Sequence, residues 1–187
     1  MWSKTRKKMN DLLADSLKKK IVYNYEVYTT NKYKYYCEMH VFYIYWNKKT
    51  IFATNPMGDW EKHKEIGNMM GELYRKGEFT EHFEVLNRVS YPAFCKAVYK
   101  TGYVFIESFM KYLHEYLCCL SIEKAIKSDN YVFHMLAMFD RRLGKRRIAE
   151  ILNRIDEEPE WFRKFVLIRA EAEGMIKIEN YDDILLQ

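Results

Sequence analysis

The chain has 187 residues, 49% of them hydrophobic, which is enough to bury a core without disulfides or metals and too apolar for disorder. Its net charge of +5 falls short of the basic excess of a dedicated nucleic-acid binder, and no run reaches the roughly 20 apolar residues of a membrane-spanning helix. The charge is also uneven: residues 1–50 carry 11 Lys/Arg against 4 Asp/Glu, and residues 156–187 carry 4 against 9, so the molecule is expected to be an electrical dipole whose field steers a charged partner.

Residues 3–20 read as an amphipathic helix. Ser3 is the expected N-cap, Met9, Leu12, Leu13 and Leu17 fall on one face, and Lys18, Lys19 and Lys20 suit the C-terminal dipole. The basic start lacks the apolar segment of a signal peptide, so the expected location is cytoplasmic. Residues 21–54 then turn rich in Tyr, Val, Ile, Thr and Phe, the residues strands prefer. Three antiparallel strands are expected at 21–29, 34–46 and 50–54, with turns at Asn31-Lys32 and Asn47-Lys48-Lys49. Both faces of the second strand are largely apolar, so it is expected to be central.

From residue 57 onward the pattern is helical, with helices expected near 59–76, 78–88, 91–100, 103–127, 129–142, 145–155 and 159–173. Pro92 and Pro159 fall at first turns, and Gly77, Gly144 and Gly174 mark ends. Ile106, Phe109, Met110, Leu113, Tyr116, Leu117 and Leu120 form the strongest apolar stripe, so 103–120 is expected to be the most buried helix. The tail 175–187 either adds a short strand or lies over the surface. The expected fold is a single α+β domain over 1–187: a helix and small three-stranded antiparallel sheet in 1–56, packed on a mainly helical bundle in 57–187.

The most concentrated feature is a basic corner. Five of the seven residues from Arg141 to Arg147 are cationic, around Gly144. Arg141 and Arg142 are expected to end one helix, while Lys145, Arg146 and Arg147 begin the next, where free backbone N–H groups also favour an anion. The ligand there is a phosphate or a partner's carboxylate. Alternatively the corner is an internal clamp on Glu157, Glu158, Glu171 or Glu173, a role arginine suits through bidentate pairing. Trp161 is expected to pack on the 145–155 helix or to anchor a partner, as tryptophan does at interface hot spots.

Catalytic spacings are missing. His40, His63, His82, His114 and His134 make no metal-binding motif, and no glycine-rich phosphate loop or cofactor motif occurs. Cys37, Cys95, Cys118 and Cys119 include no Cys-x-x-Cys and are expected to be reduced, mostly buried and inert. Tyr33, Tyr35 and Tyr36 with Lys32, Lys34, Lys48 and Lys49 have the composition of a single-strand binder but no RNA-recognition signature.

Met1-Trp2-Ser3-Lys4-Thr5, Phe139-Asp140-Arg141-Arg142-Leu143-Gly144-Lys145-Arg146-Arg147 and Arg169-Ala170-Glu171-Ala172-Glu173-Gly174 together resemble a family of small uncharacterised bacterial cytoplasmic proteins, some associated with toxin–immunity loci. The resemblance implies a non-enzymatic immunity protein that binds a cognate toxin without a cofactor. Binding residues are expected among Arg141, Arg142, Lys145, Arg146, Arg147, Trp161, Glu171 and Glu173. Two alternatives stand beside it. One is a nucleic-acid-associated protein using helix 3–20 and the Arg141–Arg147 corner. The other is an enzyme built on His114, His134 and Asp140.

Overall fold

A computed structural model describes residues 2–30, 37–54, 102–179 and 181, with positions 68 and 75. The helices expected near 78–88 and 91–100, with Gly77, Pro92, Cys95, His63, His82 and the Tyr33–Tyr36 cluster, lie outside the described residues. Asn68 and Arg75 are helical, as the expected 59–76 helix requires.

Helix α1 spans Trp2–Leu12 and stops short of the expected end at residue 20. Backbone pairing explains the stop. Ala14 N–H donates to Phe139 O at 2.9 Å, and Leu12 O accepts from Arg141 N–H at 2.7 Å. Leu13, Ala14 and Leu17 are buried, so the chain leaves the helix to bury apolar side chains while keeping its amides satisfied. A 3-10 turn at Asp15–Leu17 and a left-handed Lys19 (φ 70°) then aim the chain into the sheet.

Strands β1 (Ile21–Thr30), β2 (Cys37–Trp46) and β3 (Lys49–Ala53) form an antiparallel sheet in the order β1-β2-β3. β2 is therefore central, as its apolar faces implied. Asn47 (φ 46°) and Lys48 (φ 70°) are both left-handed, the backbone of a tight two-residue hairpin turn, so Lys49 already belongs to β3. Register places Ile21, Tyr23 and Tyr25 opposite Trp46, Ile44 and Phe42. These side chains share the face turned to the helices, and the latter three are buried.

The remaining described helices are α2 (Ile106–Cys118), α3 (Ile122–Lys127), α4 (Tyr131–Phe139), α5 (Lys145–Leu152) and α6 (Glu160–Ala172). The expected single helix 103–127 is broken at Cys119–Ser121, because Ser121 caps α3 by accepting the Lys124 amide. Asn130 caps α4 in the same way through Val132 N–H. α6 ends where Gly174 (φ 72°) closes the last turn: Met175 N–H reaches Ala170 O at 2.9 Å and Gly174 N–H reaches Glu171 O at 2.8 Å, the paired bonds of a Schellman cap.

One buried cluster joins the sheet to the helices. α2 supplies Phe109 and Leu113 as expected, but Leu117 is only half-buried. The most buried described helix is α4, not α2. Val132, Phe133, Met135, Leu136, Ala137, Met138 and Phe139 are all buried in it, because α2, α3 and α6 all pack against it. The first residues of the tail, 175–179, add no strand; Met175 and Ile176 pack against the core. The fold is α+β, with an N-terminal helix and antiparallel sheet against C-terminal helices.

Candidate functional site

The basic corner divides into an inward node and an outward groove. The division starts at Asp140. α4 ends at Phe139, and Asp140 adopts extended backbone (φ −81°, ψ 132°). Its Oδ1 accepts the Arg142 amide at 2.8 Å, a local turn that competes with the helix. Arg141 and Arg142 thus follow the helix rather than forming its last turn, which corrects the expected helix to residue 142. Gly144 then serves as N-cap of α5.

Asp140, only 2% exposed, sits at the centre of the node. Its Oδ2 accepts from Tyr116 OH and from Arg142 Nη2, both at 2.7 Å. The Asp140 bonds raise the Arg142 pKa above its usual value. Burial foremost, then Asp140, raises the Tyr116 hydroxyl. Arg142 also donates from Nη1 to Leu120 O at 3.3 Å, the carbonyl freed where α2 and α3 separate.

Arg169 enters from α6 with 3% exposure. Its Nη1 donates to Met138 O at 3.0 Å and Asp140 O at 3.2 Å, and its Nη2 donates to Leu143 O at 3.1 Å. These are carbonyls that the end of α4 leaves without helical partners. Glu173 Oε1 lies 3.1 Å from Arg169 Nε and accepts from Ser16 Oγ at 2.7 Å. Lys145 Nζ donates to the Glu173 carbonyl at 2.9 Å. Burial lowers the Arg169 pKa, yet a guanidinium stays charged at neutral pH.

The expected clamp therefore forms, mostly on other carboxylates. Asp140 holds Arg142, Glu173 holds Arg169 and Lys145, Glu150 pairs with Arg146 at 3.1 Å, and Glu123 pairs with Arg147. Of the four glutamates expected as partners, Glu173 alone takes a corner cation in a described ion pair. Glu171 Oε1 accepts from Ile178 N–H at 3.3 Å. Arg141 is exposed, and its backbone is tied to α1.

The groove lies between α3 and α5. It encloses about 620 Å³ and is lined by Lys127, Arg146, Arg147 and Arg154, by Glu123 and Glu150, and by Ile126 and Ile151. Lys127 and Arg154 make no ion pair among the described residues, so the lining keeps an excess of positive charge over apolar side chains. Arg147, Glu150 and Ile151 share one face of α5, and Arg154 follows in the turn just after the helix, a pattern present in the sequence beyond the Gly-centred cluster. Lys127 comes from another helix, and only the fold brings it to the groove.

Trp161 is 8% exposed. Its described ring neighbours are Phe52 of β3, Tyr131 of α4 and Phe162 and Phe165 of its own helix. Gly102 backs onto it so closely that a Cβ there would meet Trp161 Cγ at 2.8 Å. The ring thus bridges sheet and helices and presents little surface to a partner. Its helix as a whole packs on α5, in line with the expected packing on the 145–155 helix.

His114, His134 and Asp140 have separate partners. His134 Nε2 donates to Ser128 O at 2.6 Å, and its ring lies between Tyr131 and Phe162. Burial lowers its pKa below the ordinary 6.5. The unfolded chain therefore binds more protons through this window, and the stability from neutral His134 is present above pH 6.5 and lost as pH falls below it. The melting temperature should drop between about pH 7 and about pH 5, and His134→Gln should flatten that slope. An unchanged slope would show that this imidazole does not contribute.

The expectation of mostly buried thiols is corrected at Cys118 and Cys119, which are exposed. The break after α2 ends the helix at the surface. Among the described residues no three His, Cys, Asp or Glu side chains are grouped to hold a metal, and no helix is long and apolar enough to cross a membrane. No curated protein and no solved structure matches the chain. A family model does match it, over residues 1–170, and the chain belongs to the SF0329 protein family.

Proposed function

We propose that this chain is a non-enzymatic protein-binding module, an immunity protein that neutralises a bacterial toxin by seating an acidic surface of it in the groove between α3 and α5. The observation that carries the reading is the groove's mixed lining. Four cations stand against two carboxylates above Ile126 and Ile151. Interleaved carboxylates repel a phosphate backbone, whereas both signs over an apolar floor complement a protein surface. The acidic C-terminal third is less available as the contact. Glu173 is held by Ser16, Lys145 and Arg169, and Glu171 by the tail. An acidic partner suits a basic chain of this charge distribution.

The test is co-expression with the product of the neighbouring gene, followed by co-purification and growth rescue. Lys127→Glu with Arg154→Glu should weaken the complex at least about tenfold, 1.4 kcal/mol, with the melting temperature unchanged because neither side chain is in a described ion pair. Association should slow as salt rises. A toxic neighbour that the chain neither binds nor neutralises rules out immunity to it. Tight, steeply salt-dependent binding of DNA or RNA would instead favour the nucleic-acid reading.

A further inference from the structure

A second groove, of about 740 Å³, runs between α1 and α2, within the range of small-molecule sites. Its apolar wall includes Trp2, Tyr25, Met110 and Leu117, and Leu113 closes the floor. Lys4, Lys8 and Lys111 line it too, with no carboxylate among the described lining residues. Trp2, Lys4 and Thr5 of this lining come from the opening motif of the sequence, which the basic groove does not use.

At one end of the groove sits Cys118. His114, one helical turn earlier on α2, places Nδ1 3.9 Å from Cys118 Sγ. Lys8 crosses from α1 and places Nζ 3.6 Å from the same sulfur. An exposed thiol beside an imidazole and an ammonium is in the electropositive, accessible setting in which cysteines act as nucleophiles. Cys119 is equally exposed, but its side chain has no described partner and does not line the groove.

We propose that this groove binds an acyl chain and that Cys118 accepts the acyl group from a thioester donor whose leaving group carries phosphates. The apolar wall takes the chain, and Lys4, Lys8 and Lys111 face the phosphates. As Cys118 Sγ attacks the thioester carbonyl carbon, its proton passes to His114. The tetrahedral adduct collapses, the bond from carbon to the donor sulfur breaks, and the departing thiolate takes the proton from His114. One thioester is exchanged for another, so no oxidant or reductant is needed. The proposal is independent of the toxin-binding reading, which rests on the groove between α3 and α5.

The test incubates the purified full-length chain with palmitoyl-coenzyme A and reads intact mass and peptide maps over time. The expected product carries one acyl chain on Cys118 and loses it to neutral hydroxylamine. Cys118→Ser should abolish this product and Cys119→Ser should not. His114→Ala and Lys8→Met should each slow it at least about tenfold, and acetyl-coenzyme A, which leaves the apolar wall empty, should react far more slowly. Equal labelling of Cys118 and Cys119 would overturn the proposal, as would equal rates for acetyl and palmitoyl donors or a rate unchanged in the His114 and Lys8 variants.

Discussion

Replacing Arg169 with leucine should cost about 3–5 kcal/mol of unfolding free energy, the loss typical when one partner of a buried charge network is removed. The guanidinium is 3% exposed and holds the carbonyls of Met138, Asp140 and Leu143 together with the Glu173 carboxylate. Leucine fills part of the volume and returns none of these bonds. Three buried acceptors and a carboxylate then lose their cation, and each unmet group carries its own desolvation penalty. Arg169→Lys should recover less than half of the loss, because one ammonium on a flexible stem cannot span carbonyls that a planar fork reaches together. Denaturant titration at neutral pH is the measurement. A loss below about 1 kcal/mol, the size of a surface ion pair, would show that Arg169 does not organise the end of α4.

The same network separates what the sequence revealed from what it concealed. The Asp140–Arg147 run stood out as a charge cluster at a turn, and it does form the junction of two helices. Its division into inward and outward halves was not legible. Arg142 turns in because Asp140 beside it takes both its amide and its side chain. Arg169, eight residues after Trp161, stands in the sequence only as the first residue of the Arg169–Gly174 motif, yet it is the most deeply engaged cation of the site. No local pattern reports that carbonyls from 26 to 31 positions away will converge on it. Lys127 was invisible for a related reason: its role depends on α3 lying beside α5.

Fold class was more legible than element ends. The change from helical to alternating periodicity near residue 21 and back after residue 54 marks a helix, a three-stranded sheet and further helices. Helix ends were missed where tertiary contacts overrule propensity. α1 stops at Leu12 because residues 12–14 pair with 139–141, a partnership that the Leu12-Leu13-Leu17 stripe cannot show. α2 stops at Cys118 because Ser121 caps a new helix. That signal is present in Ser121-Ile122-Glu123-Lys124, although the strong apolar stripe runs right up to it at Leu120.

Phe109→Ala should be the most damaging core truncation of α2, at about 3–5 kcal/mol. Phe109 is fully buried. Its ring lies 4.4 Å from that of Phe42 on β2 and 5.8 Å from that of Phe52 on β3. Phe42 in turn contacts Trp2 of α1, and Phe52 contacts Trp161 and Phe165 of α6. One side chain therefore closes the contact between the central helix and both hydrogen-bonded neighbours in the sheet, and through them reaches the first and last helices. Truncation to alanine leaves a cavity between elements that are each held by other contacts and so cannot collapse fully to fill it. Phe109→Leu should cost much less, because most of the volume is kept. The expected unfolding curve stays a single transition with an earlier midpoint, as the one buried cluster joining the described sheet and helices requires. Two separated transitions in the alanine variant would instead mean that the sheet and the helical part unfold as independent units and that Phe109 only joins them.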